Sequence, residues 1–256
     1  MNAPLLEALD AGVLTLTMNR PERRNAFDEA TITRLHERLV AAGENRDVRV
    51  VVLAGAGGAF SAGADVKEAA VARLEDDLIE RAYHPAIRAI RRMPKPVIAA
   101  VDGVAAGFGA SLAIAADVRL ASSRARFSFI FVRIGLTLDG GASWLLPRLV
   151  GLAAYELALT GDLVDADEAH RLGLVNHVYP EAEFPAAVAA LARRLAAGPP
   201  LALAAIKATL NAALGPALDA ALEDERIAQR RLFATADFRE GVAAFVEKRA
   251  AEFTGE

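Results

Sequence analysis

Two short apolar runs, Val48–Leu53 (VRVVVL) and Val97–Val101 (VIAAV), constrain the fold of this chain most. Each is nearly continuous in hydrophobicity and is followed by a glycine-rich stretch. A strand without polar alternation has no face to give to water, so it belongs in a sheet covered on both sides. Gly12–Met18 (GVLTLTM), Asp117–Ala121 and Leu174–Tyr179 read as further strands. Asn19-Arg20-Pro21 ends the first of these, because proline donates no ladder hydrogen bond. Between the strands the periodicity changes to helical. Ile32, Leu35 and Leu39 share one helical face, with Asn25 or Asp28 as the cap. A second helix is expected from Asp77 to Met93, with Ile79, Tyr83, Ile87 and Ile90 on one side and a kink or restart at Pro85. A third begins near Phe108, and Gly161 and Gly173 read as helix stops. Repeated strand–helix units with buried strands mean an α/β core. After Gly198-Pro199-Pro200 the strands cease. The expected division is residues 1–197 as the core and 198–256 as an all-helical tail, packed on the core, on another subunit, or on both.

Composition removes several functions. The chain has 256 residues and no cysteine, so disulfides, thiolate metal sites and thiol nucleophiles are excluded. The 29 basic and 33 acidic residues leave a net charge of −4, which argues against nucleic-acid or anionic-membrane binding. The longest near-apolar run, Val104–Ala116, falls short of the roughly 20 residues that a membrane helix needs. The amino-terminal MNAPLLEALD has no basic region of a secretory signal, and a cytoplasmic location is the expectation.

Two glycine-rich loops follow strands. The first, Ala54–Asp65 (AGAGGAFSAGAD), fails as a dinucleotide fingerprint because Phe60 stands where the third glycine belongs. It remains a loop that exposes backbone N–H groups, or a plain tight connection. The second, Ala106-Gly107-Phe108-Gly109, enters a helix, whose first N–H groups are free to bind an anion or a developing oxyanion. Two such donors converging on one oxygen would make an oxyanion hole. Nucleophiles are weak candidates: Ser111 is a near miss to a nucleophile elbow and reads better as a small helix residue. No histidine pair has metal-ligand spacing, so no metal site is expected. His84, just before Pro85, has no visible partner. Asp139, in LTLDGGA, either caps the following helix or projects into an apolar pocket as a general base. Arg20, Arg23 and Arg24 form either a solvated face or a phosphate-binding cluster.

Six segments in order resemble the crotonase superfamily, the enoyl-CoA hydratase/isomerase family. They are NRPERRNAF (Asn19–Phe27), AFSAGADVKE (Ala59–Glu68), Pro94–Ser122, LPRLVG (Leu146–Gly151), Ala158–Pro180 and the tail from Glu240 to Gly255. The resemblance implies a spiral of repeated ββα units with a C-terminal helical trimerisation region, hence a homotrimer or a dimer of trimers. It implies an acyl-CoA thioester as substrate, with no metal or redox cofactor. By motif position it assigns the two oxyanion donors to the N–H groups of Ala62 and Phe108. It places Arg23 and Arg24 at the CoA phosphates, Ala64 and Asp65 at the adenine, and Phe245 and Lys248 at CoA across a subunit boundary.

The two glutamates of the hydratases fall on Ser111 and Phe131 here, neither of which can move a proton. Asp139 instead resembles the acid of the isomerase branch, which includes ring-epoxide isomerases, and acts there as acid and base. In the dehalogenase branch an aspartate at the Asp139 position is a nucleophile and a histidine at the His84 position activates water. The expected activity is therefore acyl-CoA isomerisation. Hydration, dehalogenation or thioester hydrolysis, and a non-catalytic CoA- or RNA-binding role are the alternatives.

Overall fold

The computed structural model describes residues 3–65, 79–214 and 217–254. The start of the helix expected from Asp77, and Val66 to Glu68 of the first loop motif, lie outside the described residues.

The chain opens with a hairpin, β1 (Leu5–Asp10) and β2 (Val13–Met18), of which only β2 was read from the sequence. Helix α1 (Glu29–Glu44) follows; of its two candidate caps, Asp28 does the work by accepting the Thr31 N–H. Such a cap stabilises a helix by about 1 kcal/mol. The next strands come in pairs: β3 (Val50–Gly55) with β4 (Ala59–Ser61), β5 (Val97–Val101) with β6 (Val104–Ala106), and β7 (Val118–Ser122) with β8 (Arg126–Ser128). The first member of each pair joins a six-stranded sheet of order β1-β2-β3-β5-β7-β10. The second joins a four-stranded sheet, β4-β6-β8-β9. Here β9 is Val164–Asp165 and β10 is His177–Tyr179. Apart from β1 and β9 the pairings are parallel. Each turn of the chain thus adds one strand to each sheet, and the result is a spiral.

The apolar runs have the burial that their composition demands. Val51 and Leu53 of β3, and Val97, Ala99 and Val101 of β5, enter the main core. The alternate residues Val50, Val52, Ile98 and Ala100 face Phe184 and Ala192 of a later helix. Both faces of the sheet are covered, as a period of two in an all-apolar strand requires. The short strands β4, β6 and β8 were not legible in sequence, because three residues carry no periodicity.

Between the pairs lie a π-turn (Ile79–Tyr83) running into α2 (His84–Arg92), and α3 (Phe108–Ala115). Pro85 sits in the first turn of α2, where its missing N–H costs nothing, so the helix restarts there rather than kinking. A 3₁₀ turn (Ile130–Ile134) precedes α4 (Ala142–Val150), α5 (Ala153–Thr160) and α6 (Ala166–Arg171). Helix α7 (Phe184–Ala196) covers the outer face of the large sheet. The tail is α8 (Pro200–Ala213), α9 (Ala217–Phe233) and α10 (Ala236–Glu247). Helix α9 packs on the core of its own chain through Leu218 and Ala221. Among the described residues no single helix is long and apolar enough to cross a membrane.

Candidate active site

Three loops at the ends of β4, β6 and the 3₁₀ turn meet around a cavity of about 90 Å³. Ala62, Ala64, Phe108, Phe131 and Asp139 line it, together with Tyr83 and, from the tail, Gln229, Phe233 and Phe238.

The loop after β4 is fixed by its own backbone. Ala62 N–H donates to Arg24 O at 2.9 Å, Phe27 N–H to Gly63 O at 2.8 Å, and Asp65 N–H to Phe27 O at 2.8 Å. Ser61 Oγ donates to Asn25 O at 2.8 Å and accepts Gly63 N–H at 3.1 Å. These bonds correct the expected donor. The Ala62 N–H is already spent, whereas the Ala64 N–H has no hydrogen-bond partner among the described residues. The backbone pairing with Arg24 and Phe27 decides which N–H of this loop is committed, and motif position alone does not carry that information. Asp65 meets the Arg20 guanidinium at 3.1 Å, which also reaches Asp28 at 3.2 Å. Arg20 is therefore a brace of the loop. Arg23 and Arg24 remain exposed beside it, on the same turn whose Arg24 carbonyl holds Ala62.

In the second loop Gly107 adopts φ +53° and ψ −128° and donates to Ser128 O at 2.9 Å. Phe108 then opens α3, and as a first-turn N–H its donor has no intrahelical acceptor. The Phe108 ring packs edge-on to Tyr83 at 4.6 Å and to Phe27 at 5.6 Å. The two loops touch. A Cβ built on Gly63 would stand 2.7 Å from Ala106 O and 3.2 Å from Phe108 N, and one on Gly109 would stand 2.4 Å from Ser61 O. The Phe108 and Ala64 donors are thus on adjoining backbone, and the glycines are required by that approach.

The third loop carries Asp139, which is 7% exposed. Its Oδ1 accepts Gly140 N–H at 2.5 Å and faces His84 Nε2 at 3.2 Å. Its side chain does not cap α4. That cap comes from α9: Glu225 Oε2 accepts Gly141 N–H and Oε1 accepts Ser143 N–H, both at 2.7 Å. One turn later Gln229 brackets Thr137, accepting its N–H at 3.2 Å and donating to its carbonyl at 3.0 Å. Burial, then the nearby Asp139 carboxylate, push the Glu225 carboxyl up to about 6. His84 is fully buried. Its Nδ1 has no hydrogen bond and lies 3.5 Å from Glu80 Oε2.

His84, Asp139 and Glu225 each present a possible metal-ligand atom within 4.8 Å of the others. Sequence spacing could not see this group, which is assembled from three distant segments. Both Glu225 oxygens already accept backbone N–H groups, so the cluster is a poor cation cage. Ser111 is buried in α3 with its Oγ 3.4 Å from Gly107 O, and Phe131 presents a ring to the cavity. Phe245 and Lys248 are exposed and stand outside the cavity lining. Glu225 and Gln229 escaped sequence reasoning because ALEDERIAQRRLF reads as a charged, solvated helix. The available signal was the face itself: Leu218, Leu222, Glu225 and Gln229 follow one another at helical spacing.

The family model described as enoyl-CoA hydratase/isomerase matches residues 8–256. The chain belongs to the enoyl-CoA hydratase/isomerase family. Its similarity to individual members extends end to end. It is 41% identical over 257 residues to the 1,2-epoxyphenylacetyl-CoA isomerase of Escherichia coli (strain K12), covering 98% of both chains. It is 42% identical over 250 residues to a probable enoyl-CoA hydratase of Rhodobacter capsulatus, covering 96% of both. A crystal structure of an enoyl-CoA hydratase from Mycobacterium avium subsp. paratuberculosis superposes with a TM-score of 0.92 at 40% identity, over 98% of this chain and 99% of that one. The spiral and the C-terminal helical region are those of the crotonase fold. An acyl-CoA substrate is consistent with that family.

Proposed function

We propose that the chain is an acyl-CoA isomerase in which Asp139 is the acid and base. A proton on carbon alpha or gamma to a thioester becomes removable when the developing enolate oxygen is held by fixed donors. Ala64 N–H and Phe108 N–H take that role, and the α3 dipole adds to it. Asp139 takes the proton from one carbon and returns it to another, which moves a double bond from the 3- to the 2-position or opens a strained ring. The observation that carries this reading is the acid inventory of the cavity lining: Asp139 is its only carboxylate among the described residues, with a ring at Phe131. Glu225 lies behind it with both oxygens occupied. Hydration by the two-glutamate route has no acids to use at Ser111 and Phe131. No metal or redox cofactor takes part, and coenzyme A enters as part of the substrate.

The 3.2 Å contact of His84 with Asp139 favours a second reading, hydrolysis or dehalogenation through an acylated Asp139. His84 does not line the cavity, which ranks that reading below the first. The test is a panel of 3-enoyl-, 2-enoyl- and aryl-CoA thioesters, followed for isomer, hydrate, halide or free CoA. Asp139→Asn should lower isomerisation by about 10²–10⁴-fold, the usual worth of general acid–base catalysis. Isomerisation at the wild-type rate in Asp139→Asn would sink the reading.

The protein also acts, we propose, as a homotrimer or a dimer of trimers. Leu152 at the start of α5, Tyr155 and Leu159 on it, and Leu201, Ile206 and Leu210 on α8 are large apolar side chains left exposed by the single chain. Light scattering that returns a 27.0 kDa particle at micromolar concentration would refute this.

A further inference from the structure

We infer that Glu225 and Gln229 of α9 are positioning residues that hold the Asp139 loop in its reactive geometry, so the tail helix sets the chemistry of the core. The inference rests on the reading of Asp139 as the base. Four hydrogen bonds carry it. Glu225 takes the N–H groups of Gly141 and Ser143, and Gln229 takes and gives one bond at Thr137. The two anchor points bracket Asp139, two residues before it and two to four after it.

Both side chains are buried, Glu225 at 4% and Gln229 at 2% exposure, in a helix otherwise rich in exposed charge. Burying a carboxylate beside another is costly unless each oxygen has a donor, and here each does. The Gly140–Gly141 backbone needs this external hold. Both residues have positive φ (+66° and +77°), and the chain between the 3₁₀ turn ending at Ile134 and α4 beginning at Ala142 has no regular structure of its own to fix it. A Cβ on Gly140 would stand 2.9 Å from Ser111 Cβ and 3.0 Å from the Phe108 ring, so the loop is also pressed against the helix that carries an oxyanion donor. Among the described residues the Asp139 side chain makes only the bond to Gly140 and the contact with His84. Its place is therefore set mainly by where the loop backbone is held.

The clamp needs an ionised Glu225, since a protonated carboxyl can accept with one oxygen well and must donate with the other. The titratable groups that face Glu225 are Asp139 on the loop and His84 on α2, with Glu80 beyond His84. Wild-type kcat is expected to fall along a limb near pH 6, where Glu225 takes up its proton. Glu225→Gln keeps the shape but turns an amide N–H₂ toward a backbone donor. It should lower kcat at least tenfold, leave the acyl-CoA KM within threefold, and remove that limb. Gln229→Met keeps the length and loses both bonds to Thr137. It should lower kcat severalfold with the limb in place. Circular dichroism and urea melts accompany each variant, and Gln229→Met tests the clamp alone if Glu225→Gln does not fold. A folded Glu225→Gln protein with the limb unmoved, or a folded Gln229→Met protein with wild-type kcat, overturns the inference. If Asp139→Asn is inactive in the same assay, such a result strikes the clamp only. If Asp139→Asn is active, it is the base assignment that has failed.

Discussion

Replacing Gly109 by alanine isolates the contact that sets the spacing of the Phe108 and Ala64 N–H groups, the proposed oxyanion donors. Gly109 is the second residue of α3, and its backbone has a helical conformation that alanine adopts freely. The only obstacle is space. The new Cβ would stand 2.4 Å from Ser61 O, 2.9 Å from Ser61 Cβ and 3.0 Å from Ser61 C. Ordinary contact begins about 1 Å further out, so α3 and the loop after β4 must separate by roughly that distance. Forcing a methyl into packed backbone costs about 1–3 kcal/mol. The better helix propensity of alanine returns up to about 1 kcal/mol. A net loss of about 1–2 kcal/mol leaves a domain of ordinary stability folded. Catalysis should suffer far more. Phe108 N–H is one residue from the wedge and Ala64 N–H lies in the loop it pushes, and misplacing catalytic groups by about 1 Å can cost 10²-fold.

The assay is kcat/KM for a 3-enoyl-CoA, read beside a urea melt. Gly43→Ala is the control. It lies on α1 with only Met93 Cγ near, at 3.9 Å, and should gain about 0.5–1 kcal/mol with activity unchanged. A folded Gly109→Ala protein within threefold of wild-type kcat/KM would refute the argument that this close approach sets the donor geometry.

Replacing Arg23 and Arg24 together by alanine should weaken CoA binding, and more so at low salt, because exposed charges are screened within about 10 Å at 0.1 M; titration calorimetry showing equal affinity at low salt would remove them from the CoA site. The pH dependence of stability has a definite sign at Glu225. Its folded-state value is raised from 4.5 to about 6, so its stabilising contribution is full below the unfolded value and is lost as pH rises through 6. The difference in unfolding free energy between wild type and Glu225→Gln should therefore move by about 2 kcal/mol between pH 4.5 and 7.5, in favour of the variant at the higher pH. Urea melts at the two pH values check this, and a pH-independent difference would contradict the burial argument.

Sequence alone determined the α/β core here, because the signals that specify it are local. Val50 to Leu53 and Val97 to Val101 are apolar at every position, and no structure other than a doubly covered sheet buries both sets. Asp28 caps the helix that its spacing to Ile32 and Leu35 announces. The ordered motifs indicated the family, and they also pointed to the two glycine-rich loops and Asp139, which the fold brings to one cavity. What the sequence could not decide was direction and partnership. Ala62 and Ala64 are chemically equivalent as backbone, and only pairing with Arg24 and Phe27 consumes one donor and leaves the other. From its spacing Asp139 read more readily as a helix cap than as a base, yet Glu225, 86 positions along the chain, takes the N–H groups at that helix start. His84 had no partner within its own segment, yet meets Asp139 across 55 positions. Hydrogen bonds between distant segments leave no periodicity in either one. A buried carboxylate on α9 is indistinguishable, residue by residue, from the solvated acids around it. Its role exists only once the tail helix has folded back over the core.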